Sequence, residues 1–86
     1  MIYKFIESRG RTHDDLYEYE FQTSNPNEYW LLAYCTTIKS WFAELYENYN
    51  GEPPFDLSRD ATNEEVVCLL ESMPVNALPV EVFYHA

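Results

Sequence analysis

Apolar and polar residues alternate most clearly over residues 16–23. Tyr17, Tyr19 and Phe21 fall on one side there, and Glu18, Glu20 and Gln22 on the other. Period two is the mark of a strand with one face on a core and one in water. Residues 1–8, with Ile2, Tyr3, Phe5 and Ile6, read as an earlier strand. The polar segment 9–15, which includes Gly10, reads as the hairpin loop between them.

A different spacing follows. Leu31, Tyr34, Cys35, Ile38, Trp41, Phe42, Leu45 and Tyr49 recur at three–four intervals, which predicts a long amphipathic helix ending near Tyr49. Asn25-Pro26-Asn27-Glu28 reads as its start, with Asn25 as N-cap and Glu28 as the capping-box carboxylate. Asn50-Gly51 reads as its stop, and the Pro53-Pro54 stretch up to Arg59 as a rigid loop. Thr62-Asn63-Glu64-Glu65 is a second capping box, opening a shorter helix to about Ser72 with Val66, Leu69, Leu70 and Met73 inward. Met73-Pro74 ends it. Residues 79–85 alternate Val80, Val82 and Tyr84 with Glu81, Phe83 and His85 and read as a last strand. The predicted fold is a single α+β domain over residues 1–86. It has a three-stranded, mainly antiparallel sheet with two helices on one face, in the order ββααβ.

Composition supports a folded chain. Hydrophobic residues make up 47% and aromatics 17% of the 86 residues, too much for disorder. No run of about twenty apolar residues exists to span a membrane, and the first residues lack the features of a signal peptide. Cys35 and Cys68 fall in helical patterns and are expected to be reduced core residues of a cytoplasmic protein.

Charge narrows the function classes. Fifteen Asp/Glu face five Lys/Arg, a formal net charge of −10. No base lies between Thr12 and Ile38 or after Arg59. Such a surface repels nucleic acid and anionic lipid and attracts basic grooves.

Catalytic and cofactor signatures are missing. Gly10 and Gly51 stand alone, so there is no phosphate-cradling loop. No zinc-spaced Cys/His set occurs. The segment Asp56-Leu57-Ser58-Arg59-Asp60 begins like a calcium loop, but Ala61 replaces the required glycine and Val67 the bidentate glutamate. His13 and His85 read as exposed, and neither cysteine has the electropositive setting of a nucleophile. The expectation is a non-enzyme with no catalytic residue, cofactor or metal.

The candidate partner-binding residues are Asp14, Asp15, Glu18, Glu20, Glu44, Glu47 and Tyr46. Glu18 and Glu20, two apart on a strand, project from one face roughly 6–7 Å apart. Asp14 and Asp15 extend that row. Glu44 and Glu47, three apart, are expected on the exposed side of the long helix. DNA carries a phosphate per about 3.4 Å on each strand, so such rows approach its charge density. Tyr46 and Tyr29 are candidate aromatic anchors beside the acids.

In its Asp14-Asp15-x-x-Glu18-x-Glu20 run and its base-free tail from Asp60 onward, the chain resembles the small phage- or plasmid-encoded inhibitors of bacterial defence, the anti-CRISPR and antirestriction DNA mimics. The resemblance is to a class without a common fold. It implies a basic nucleic-acid-binding partner whose groove is occluded. An immunity protein or antitoxin against a basic nuclease, and a regulatory interaction domain, are the alternative readings. Monomer and homodimer both stay open.

Overall fold

Where three–four spacing predicts one long helix, the chain forms two strands. In the computed structural model, which describes residues 2–47 and 56–79, five strands and one helix are present: β1 (Lys4–His13), β2 (Leu16–Gln22), β3 (Tyr29–Cys35), β4 (Ser40–Glu47), β5 (Asp56–Asp60) and α1 (Asn63–Glu71), followed by a 3-10 turn at Val75–Ala77. The strands pair antiparallel in the sequential order β1-β2-β3-β4-β5. The fold is therefore a five-stranded meander carrying one helix, not a three-stranded ββααβ sheet with two. Expected residues 80–85 of the last strand and the Asn50-Gly51 stop lie outside the described residues.

The physical reason is β3. Each of Tyr29, Trp30, Leu31, Leu32, Ala33, Tyr34 and Cys35 is at most 9% exposed. A helix with the expected stripe would have left Trp30, Leu32 and Ala33 outside it. A central strand covered on both faces buries all seven, which is worth more hydrophobic free energy than a one-sided helix. The chain then reverses at residues 36–39, where Lys39 takes the left-handed φ of 53°.

Asn25 caps no helix. Its side-chain Oδ1 accepts from the Asn27 amide at 3.0 Å, and its carbonyl accepts from the Glu28 amide at 3.1 Å, closing a tight turn into β3. The second capping box does form. The Thr62 hydroxyl accepts from the Glu65 amide at 3.2 Å, and the Glu65 carboxylate accepts from the Thr62 amide at 2.9 Å.

β1 is longer than expected and takes up most of the predicted loop. It pairs with β2 through three register shifts, leaving Ile6, Arg9 and Thr12 as extra residues, and only Asp14 and Asp15 make the turn. Gly10 adopts φ 70° beside one bulge. The expected loop at 56–59 is instead the edge strand β5, and Asp56-Leu57-Ser58-Arg59-Asp60 is extended rather than a calcium loop.

Cross-strand partners share a face, so the register divides the sheet in two. On the inner face Tyr19, Leu32 and Ala43 are aligned, as are Phe21, Trp30 and Leu45. Leu69 and Met73 from α1 and its exit, with Tyr3, close this core. Trp30, Tyr19, Phe21, Leu32 and Leu69 are fully buried. Each contributes about 1.5–3 kcal/mol of hydrophobic free energy or more. Tyr3 meets Trp30 edge-on at 5.2 Å, and Phe5 meets Phe21 at 5.5 Å. Both cysteines are free, but only Cys35 is buried; Cys68 is exposed on α1.

Candidate acidic interface

The outer face is built by the same ladders. Glu7 is the register partner of Glu20, Glu20 of Leu31, Leu31 of Glu44, and Glu44 of Asp60. One row across all five strands thus carries four carboxylates around a central leucine. Neighbouring strands lie about 4.8 Å apart, so the row spans roughly 19 Å. The next row adds Glu18, opposite Ala33 and Phe42. Tyr29 and Tyr46 are aligned on the other side of Leu31, with ring centroids 5.9 Å apart.

The phenols hold the acids. Tyr29 donates its hydroxyl to Glu20, and Tyr46 donates to Glu44 at 3.2 Å. Burial and the adjacent Glu44 carboxylate raise the Tyr46 pKa, keeping the phenol protonated as a donor. Glu7 is held above the ordinary carboxyl value of 4.5, first by its hydrogen bond with Glu20 and then by the charge of Glu20; Arg9 partly offsets this. Among the described residues the ion pair is Arg59–Glu65 on the other face, and no cation pairs with Glu18, Glu20 or Glu44.

The expected set is thus partly united. Glu18, Glu20, Glu44 and Tyr46 share this face. Glu47 does not: on a strand, three residues from Glu44 means the opposite face, and its carboxylate accepts from Ser58 Oγ at 2.9 Å. Asp14 and Asp15 sit at the end of the sheet rather than in the row. The Asp14 carbonyl accepts from Arg11 Nε at 2.8 Å, and the Asp15 carbonyl accepts from the Thr36 amide at 2.8 Å. Cys35 Sγ donates to Asp15 Oδ2 at 3.7 Å.

Sequence reasoning missed Glu7 and Asp60. Counting back from the pair His13–Leu16 without bulges puts Glu7 opposite Gln22; the bulges move it to Glu20. The left-handed Gly10 was the one sequence cue for a bulge in β1.

Other chemistry is sparse. His13 is exposed at the end of β1. A hollow of about 510 Å³ at Ile2, Lys4, Thr23 and Ser24 contains one ionisable side chain. Among the described residues, no group of three or more His, Cys, Asp or Glu is arranged to hold a metal ion, and no helix is long and apolar enough to cross a membrane. No family model matches the chain, and no curated protein or solved structure is significantly similar to it.

Proposed function

We propose that this protein is an acidic binding module that occupies the basic nucleic-acid-binding groove of a partner protein and excludes nucleic acid from it. The observation that carries this reading is the register row Glu7–Glu20–Leu31–Glu44–Asp60, flanked by Glu18, with no Lys or Arg within it. Spacings of about 5 Å across strands and 6–7 Å along one resemble those between phosphates. The hydrogen bonds from Tyr29 and Tyr46 limit the side-chain freedom lost on binding. Among proteins that work this way are the phage- and plasmid-borne inhibitors of bacterial defence that the sequence resembles.

The test is capture of the partner by the tagged protein at low salt, followed by challenge with duplex DNA and with about 0.5 M salt, where charges are screened within a few ångströms. Release by both agents, and loss of capture when Glu18, Glu20, Glu44 and Asp60 are all changed to Lys, is the expected result. A partner retained at high salt, or captured equally by the charge-reversed protein, would refute the reading.

A further inference from the structure

The outer face is closed at its centre and open at its flanks. Tyr29, Leu31, Ala33 and Cys35 of β3 are buried, so a partner meets the sheet to one side of them. The two sides differ. On the β1 side Lys4 shares the face, and Arg9 lies close enough to Glu7 to offset its neighbour Glu20. On the other side β4 contains no base, and Arg59, the one base of β5, is turned inward to Glu65. Register places Asp60 beside Glu44 and Leu57 beside Tyr46 on the outer face. Here the apolar groups are accessible: Phe42 is 40% exposed and Leu57 55%. Along β4, the Glu44–Asp60 pair falls midway between Phe42 and the Tyr46–Leu57 pair. The order is apolar, acidic, apolar, in steps of about 6–7 Å.

From this we infer that the β4–β5 flank docks a groove built for single-stranded nucleic acid, with Glu44 and Asp60 meeting its cations and Phe42 and Leu57 its aromatic rings. This deepens the groove-blocking reading and rests on it. Charge complementarity selects a basic surface, and the exposed apolar groups select among basic surfaces. A groove that reads a duplex meets phosphates and base edges, since the base faces are stacked away. A groove for single strands interleaves cations, which follow the phosphates, with aromatic side chains, which stack on the bases. The flank presents the complementary order. Glu44 accepts from one phenol and keeps its second oxygen for a cation.

The probes are a peptide of lysines interspersed with tryptophans and one in which serines replace the tryptophans. Each is titrated against the whole protein by calorimetry, with amide shifts followed by NMR. The tryptophan peptide is expected to bind about three- to tenfold more tightly, the scale of one ring contact. Because the two peptides carry equal charge, that ratio should persist as salt is raised. Shifts should centre on Phe42, Glu44, Leu57 and Asp60. Phe42→Ala and Leu57→Ser should each lower the ratio, whereas Ile6→Ser, at a similarly exposed apolar position on β1, should leave it unchanged. Circular dichroism confirms that the variants are folded. Equal affinities, shifts centred on β1 and β2, an equal loss in Ile6→Ser, or no binding of either peptide would overturn the inference. If both peptides bind equally and both are lost with Glu44→Lys/Asp60→Lys, the acidic face still acts by charge and only the single-strand assignment fails.

Discussion

The two faces of this sheet share their backbones and differ in everything the side chains do. On the inner face, Tyr19, Phe21, Trp30 and Leu32 pack beneath α1 without access to water. On the outer face of the same sheet, Glu7, Glu20, Glu44 and Asp60 fall in one row with Leu31 at its centre. Grouping like charges lowers stability. The inner core supplies the free energy that lets the outer face keep an arrangement useful for binding rather than for folding. Stability and recognition are thus separated by the strand's period of two, and substitutions should separate them too.

Trp30→Ala should have the largest effect. It removes a fully buried indole and should cost about 3–5 kcal/mol in urea denaturation, a large share of what a domain this small holds. Thr62→Ala removes the hydroxyl half of the capping box under the same face and should cost about 1 kcal/mol.

Acid should affect the faces in opposite directions. On the inner side, Arg59 holds the Glu65 carboxyl at about 2, below its ordinary 4.5. This pair therefore stabilises the fold above about 4.5 and stops doing so as pH falls toward 2. Arg59 is 47% exposed, so solvent screening keeps the gain to no more than about 1 kcal/mol. Glu65→Gln, which preserves the capping geometry, should flatten that part of the stability–pH curve. On the outer side, Glu7 is held above 4.5 by Glu20. Its contribution is present below 4.5 and is lost as pH rises through its folded value. A carboxyl NMR titration should show Glu7 taking up its proton before Glu65, and Glu20→Gln should bring Glu7 down toward its ordinary value. The smallest stability effect is expected from Glu44→Gln. It should change stability by no more than about 0.5 kcal/mol while weakening capture of the partner, which inverts the result expected for Trp30→Ala.

How legible these faces were in the sequence depends on the strand. β2 alternates cleanly, so Glu18 and Glu20 were placed correctly from spacing alone. β3 does not alternate, because both of its faces are apolar; a continuous apolar run fits a buried strand and a helix equally well. The turn after it gave no warning, since Lys39 occupies a left-handed position where glycine or asparagine is usual. The two capping-box spacings were indistinguishable by residue type. Thr62–Glu65 closes around a helix, whereas Asn25 turns its side chain onto its own loop. β5 is mostly polar and is a strand by virtue of pairing with β4. Reading Glu44 as helical paired it with Glu47; its true neighbours, Leu31 and Asp60, follow from register, which local spacing does not encode.

The meander order has a consequence for how the chain acquires its shape. Every strand from β2 to β5 pairs with the one made just before it, and the first three connections are the short segments 14–15, 23–28 and 36–39. Closing such loops costs little chain entropy, and single hairpins form in about 1–10 μs. No strand of the described sheet waits for a distant partner, so the sheet can zip up hairpin by hairpin while the polypeptide is still leaving the ribosome.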